Sequence, residues 1–138
     1  MNTLNGAPKP KALAKVRDNN NIERGNAGEQ AVVEYLLKHD YSILHRNFRY
    51  KTGEIDIIAQ KHDIVTFVEV KLRKNPLIDP AEIITPSKQK KIISVAKLFL
   101  ALHTKYEESV YRFDVALVEE INNTLTIRYL ENAFSSFG

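Results

Sequence analysis

The stretch GEIDIIAQKHDIVTFVEVKLRKN, residues 53–75, constrains this chain more than any other. Two runs of alternating and β-branched residues, about 54–60 and 64–72, are separated by the polar QKHD, and this spacing predicts two adjacent strands. Alternation places Ile55, Ile57 and Ala59 on one face of the first strand and Val68, Val70 and Leu72 on one face of the second. The opposite faces then carry Glu54 and Asp56, and Glu69 and Lys71, so ionisable groups from both strands meet on one side of a sheet.

The rest of the chain supplies what such a sheet needs. Residues from Glu23 to Lys38 follow a helical stripe with Ala31 or Val32, Tyr35 and Leu36 inward. YSILHRNFRY has no clean apolar face and predicts a strand near an edge, which makes a meander with the two strands above. RKNPLIDPAEIITP, residues 73–86, holds three prolines and reads as a connector. Thr85 followed by Pro86 is a helix start, since Thr caps free N–H groups and Pro is pre-set for the first turn. That helix runs to about Leu102, with Ile92, Ala96, Phe99 and Leu102 or His103 inward. YRFDVALVEE and TLTIRYL, joined around NN, predict a closing hairpin. The order is helix, three strands, helix, two strands, an α/β arrangement. We expect one domain over residues 24–131, a basic solvated tail over 1–23 and a short C-terminal tail over 132–138.

Charge narrows the partners only a little. The chain has 20 Lys and Arg against 17 Asp and Glu, but residues 1–25 hold five bases and two acids, so the whole excess lies in the tail. The simplest reading of the tail is a solvated arm, with phosphate contact as the alternative. There is no cysteine, no apolar run of signal-peptide or membrane-spanning length, and the default location is the cytoplasm.

The carboxylates and the lysine suit phosphodiester chemistry. A charged, solvated face of an antiparallel sheet is the plain alternative, but acids crowded on two strands repel unless a cation holds them. Mg2+ takes a few carboxylate oxygens plus waters and phosphate oxygens, which Asp56 and Glu69 can provide, and Lys71 is then placed to orient a water or stabilise a phosphoryl group. Other chemistries lack their residues. His39, His45, His62 and His103 do not have zinc spacing, and no phosphate-binding glycine loop, dinucleotide fingerprint or serine elbow is present. Nothing aromatic surrounds the carboxylates to stack on a sugar.

Asp56 on one strand, with Glu69, Val70 and Lys71 on the next, resembles the PD-(D/E)XK nuclease superfamily. Its restriction-endonuclease-like αβββαβ core, a central mixed sheet flanked by helices, agrees with the order read above. More narrowly, GNAGEQAVVEYLLKHDYSILHRNFRYKTGEIDIIAQKHDIVTFVEVKLRKN looks like the YraN-like family of uncharacterised bacterial proteins, family 0102, which is similar in turn to Holliday-junction resolvases. The resemblance spans about residues 24–131. It implies Asp56 and Glu69 as ligands of Mg2+ or Mn2+, Lys71 as the catalytic lysine and Glu29 as a further carboxylate from the first helix. Glu29 also lies on or beside the buried stripe, an expensive place for an acid without a partner, although an acid early in a helix is favoured by the dipole. Glu54 matches the family's GEID, as a metal ligand or as the partner of a base such as Lys71 or Arg73. Asp114 falls in the matched YRFDVALVE and is expected to pair with Arg112 or a helix. The proline of PD is replaced by Ile55, and PLIDPAE stands where a glycine turn is expected.

A nuclease also needs a cationic rim. Arg46, Arg49 and Lys51, Arg73 and Lys74, and Lys88, Lys90 and Lys91 are the candidates. Phosphate contacts of this kind position a substrate without reading its bases, so the expected selectivity is for DNA structure, such as branched or flapped DNA. Three readings stay open: a metal-dependent DNA endonuclease, a non-catalytic nucleic-acid-binding module on the same fold, and a protein-interaction domain. Symmetric DNA would favour a homodimer, though no residue demonstrates one.

Overall fold

A computed structural model of the chain describes residues 19–73 and 84–136. The elements are α1 (Asn19–Lys38), β1 (Ser42–Tyr50), β2 (Gly53–Lys61), β3 (Ile64–Leu72), α2 (Pro86–Leu102), β4 (Val110–Ile121) and β5 (Thr124–Phe134), with one 3-10 turn at Thr104–Tyr106. They form a mixed five-stranded sheet in the order β1-β2-β3-β4-β5. β1, β2 and β3 are the expected antiparallel meander, with β1 at an edge. β4 runs parallel to β3, because α2 carries the chain back across the sheet, and β5 closes an antiparallel hairpin with β4. The hairpin turn is Asn122-Asn123, both at positive φ (51° and 61°), a conformation asparagine tolerates and a two-residue turn requires.

Each helix covers one face. On the α2 side, Ile92, Val95, Ala96 and Phe99 pack on Ile55, Ile58, Phe67, Phe113 and Leu117. On the α1 side, Val32, Val33 and Leu36 pack on Ile57, Ala59, Val68, Ala116 and Val118. The central strands β2, β3 and β4 are thus buried on both faces, and each fully buried Ile, Leu or Phe contributes roughly 1.5–3 kcal/mol. α1 approaches the sheet through Gly28, where an added Cβ would stand 3.3 Å from Leu72 Cδ2 and 3.6 Å from Val118 Cγ1. This close approach brings the middle of α1 over the ends of β3 and β4.

Several expectations shift. α1 begins at Asn19, inside the expected tail, and β5 continues past residue 131 to Phe134. Of Leu102 and His103, Leu102 is 63% exposed and His103 is the half-buried one, stacked on Phe99 at 4.1 Å. Ile55 does not share a face with Ile57 and Ala59: it joins the α2-side core with Ile58. The reason lies in the β1–β2 pair. Between the Arg46↔Ile57 and Phe48↔Ile55 pairs stands Asn47 at φ 53°, and the two strands change face together there. Arg46 consequently reaches α1, whereas Phe48 meets Phe99 edge-on at 5.2 Å. The proline-rich connector expected at 73–86 lies for the most part outside the described residues, as does Lys74.

Candidate active site

The change of face occurs at one end of the β2–β3 ladder. Their register runs from Lys61↔Ile64 to Ile57↔Val68, and one position further on Asp56 faces Glu69. Here the Asp56 carboxylate itself accepts the Val70 N–H at 2.8 Å, in place of a backbone carbonyl. The start of β2, the end of β3 and the first turn of α2 enclose a cavity of about 390 Å³ lined by Glu54, Asp56, Glu69, Lys71, Lys88 and Lys91.

Thr85 fixes the helix that closes this cavity. Its backbone is extended, its hydroxyl accepts the Lys88 N–H at 3.2 Å, and Pro86 follows, as the sequence predicts. Lys88 is thereby held on the first turn, and its Nζ lies 2.6 Å from Glu69 Oε2. The Glu69 side chain is only 7% exposed, so the ion pair offsets a burial that would otherwise be costly.

The electrostatics are uneven. Burial, then the negative charge of Glu69, pushes the Asp56 carboxyl up to about 7, with the Val70 N–H pulling the other way and Glu29 adding a smaller push. Lys71 is shifted down, by burial first and then by the positive charge of Lys88. Lys88 is shifted up: burial opposes its charge, and the hydrogen bond and charge of Glu69 outweigh burial. At the centre of the cavity lie two acids, Asp56 and Glu69, and two amines, Lys71 and Lys88, with the Asp56 pKa raised and that of Lys71 lowered.

The other predicted residues divide. Glu29 does not line the cavity: on α1 it lies close enough for its charge to act on Asp56, and its Oε1 accepts from Arg46 at 3.0 Å and from Asn47 at 3.1 Å. Arg46 is thus committed to Glu29, and also donates to Gln30 at 3.1 Å. Glu54 lines the cavity but pairs with Arg49, at 3.0 Å and largely exposed, and not with Lys71 or Arg73. Arg49 and Lys51 border a shallower recess that shares Thr52, Gly53 and Glu54 with the cavity. Arg73 leaves the rim: its side chain is 8% exposed and lies 3.6 Å from Glu119. Lys90 and Lys91 are exposed on α2.

The donor set suits a hard cation held in the manner of Mg2+. Among the described residues no group of three or more carboxylates or histidines converges, so an all-protein cage is absent. Two adjacent carboxylates, one of them with a strongly raised pKa, match the alternative in which waters and phosphate oxygens complete the shell. Sequence reasoning placed Lys88 only on the rim. The signal it passed over is the residue type: position N3 of a Thr-capped helix favours Glu or Gln, and a lysine there answers to something outside the helix.

The model of the Uncharacterised protein family UPF0102 matches residues 28–118. This chain belongs to that family. A UPF0102 protein of Caldicellulosiruptor saccharolyticus is 45% identical over 118 residues, covering 83% of this chain and 99% of its own length. One from Caldicellulosiruptor bescii is 42% identical over 113 residues (80% and 95%), and one from Clostridium botulinum 39% identical over 120 residues (83% and 95%). The UPF0102 match contains Glu29, Asp56, Glu69, Lys71 and Lys88 and ends within β4. No helix of the described residues is long and apolar enough to cross a membrane.

Proposed function

We propose that this protein is a metal-dependent endonuclease that hydrolyses phosphodiester bonds of DNA, selecting its substrate by structure. The observation that carries the reading is the Asp56–Glu69 pair, two facing carboxylates at the end of a strand ladder with the Lys71 and Lys88 amines beside them. Asp56 and Glu69 would hold Mg2+ or Mn2+, which when bound supplies an activated water and neutralises charge on the phosphoryl group. Lys71, on the cavity wall two residues from Glu69, is the residue that orients the attacking water or steadies the phosphate oxygens. Glu29 of α1, held by Arg46 of β1, adds a further carboxylate near Asp56. Lys91, with Arg49 and Lys51 along the neighbouring recess, contacts phosphates on either side and reads no bases.

A non-catalytic nucleic-acid-binding module is the second reading, favoured by one feature: Lys88 already neutralises Glu69. Cleavage of single-stranded, duplex, flapped and four-way DNA with Mg2+, Mn2+ or EDTA separates the two. The enzyme reading expects metal-dependent cutting that Asp56→Ala and Glu69→Ala abolish. Cutting retained by both variants, or no cutting of any substrate by the parent, rejects it.

A further inference from the structure

The Lys88–Glu69 pair presents a difficulty for any ion bound between Asp56 and Glu69. At 2.6 Å the ammonium occupies the Glu69 oxygen from the cavity side, and Lys88, Glu69 and Asp56 all line the same space. A divalent ion ligated by Glu69 and an ammonium on the same carboxylate would stand a few ångströms apart, where like charges repel strongly.

We infer that Lys88 is an internal counter-ion that keeps Glu69 neutralised until a divalent metal displaces it, and that the displaced ammonium then binds the phosphate undergoing reaction. This deepens the nuclease reading and rests on it. Three observations support the exchange. First, the two partners differ in freedom: the Glu69 side chain is 7% exposed and fixed in the sheet, whereas that of Lys88 is 40% exposed. Second, the backbone of Lys88 cannot follow, because its N–H is capped by Thr85 and α2 is anchored through Ile92, Val95, Ala96 and Phe99. Displacement is therefore a side-chain rotation about a fixed point at the cavity mouth. Third, the first turn of α2 holds no acid, and a lysine occupies N3 against the helix dipole. Such an arrangement is tolerable when an anion completes it: Glu69 without metal, a phosphate with it.

The exchange is testable on the full chain without DNA, with Mn2+ as the probe. Calorimetry first establishes Mn2+ binding to the parent. Reductive methylation read by mass spectrometry then reports the accessibility of the Lys88 amine. Saturating Mn2+ is expected to speed Lys88 methylation several-fold, leaving the exposed Lys97 of α2 unchanged. Lys88→Gln keeps a residue that suits N3, and is expected to bind Mn2+ about tenfold more tightly for want of a competing cation, whereas Lys97→Gln binds as the parent does. If the parent binds Mn2+ and Lys88 methylation does not rise, or Lys88→Gln binds no more tightly, the counter-ion role is overturned while the metal reading stands. If the parent takes up no Mn2+, the metal reading itself fails.

Discussion

Asp56 and Asp114 each accept a backbone N–H from the neighbouring strand at 2.8 Å, yet they sit in opposite circumstances. Asp114, on β4, is fully buried and accepts three further hydrogen bonds from two side chains: Arg112 donates to it twice at 2.9 Å and Tyr129 donates its hydroxyl at 2.6 Å. Arg112 is itself fixed by Tyr41 at 2.8 Å. The Asn132 N–H that Asp114 accepts lies where the β4–β5 register shifts, at a residue with φ 52°, so the carboxylate repairs a break in the ladder. Asp56 also caps a backbone N–H beside the end of a ladder, but its principal neighbour is another carboxylate, and burial drives its pKa to about 7. One acid is saturated with donors and holds the hairpin together. The other is short of positive charge, which is the condition of a site that takes something up.

Substitutions at the two positions should therefore move in opposite directions. Asp114→Ala strands the Arg112 guanidinium and the Asn132 N–H, and is expected to cost about 3–5 kcal/mol in chemical denaturation. Asp56→Asn removes a charge that the fold disfavours and retains an oxygen for Val70. It should stabilise the metal-free chain at pH 8 by about 1–3 kcal/mol, within the span set by the raised pKa. The pH dependence carries the same sign: the folded-state value near 7 lies above the ordinary 3.8, so the contribution of Asp56 is fully present below about pH 4 and is lost as pH rises through 7. Melting curves of the parent should fall between pH 5 and pH 8 more steeply than those of Asp56→Asn. A destabilised Asp56→Asn at pH 8 would erase the distinction between the two acids.

Smaller effects sharpen how the cavity is held. Thr85→Ala removes the cap that fixes Lys88, and should lower stability by about 1 kcal/mol in denaturant titration. Glu54→Gln breaks only the exposed pair with Arg49, and a change above about 0.5 kcal/mol would show that this pair matters more than its setting suggests.

The sequence made the frame legible because its signals are local. The strand spans of β2 and β3, the Thr85-Pro86 cap and the Asn122-Asn123 turn each depend on a few neighbouring residues, and all appear as expected. The pairing of Asp114 with Arg112 was readable for the same reason, being two residues apart on one strand. What depended on distant contacts was not. The left-handed Asn47 moves Ile55 to the other face, and strict alternation cannot register such a change. Arg73 looks like a rim base beside Lys71 until Glu119 of β4 draws it in. Arg46 is likewise claimed by Glu29 across 17 residues. Lys88 reaches Glu69 only because the parallel crossover lays the start of α2 over the end of β3.

Metal-dependent thermal stabilisation tests the central claim most directly. With Mn2+ near one hundred times its dissociation constant, binding to the native state alone adds about 2.7 kcal/mol. At pH 8 the melting temperature of the parent should rise by several degrees on adding Mn2+, and that of Asp56→Asn should not. A parent that does not respond, or an Asp56→Asn chain that responds equally, would contradict the assignment of Asp56 and Glu69 as the metal-holding pair.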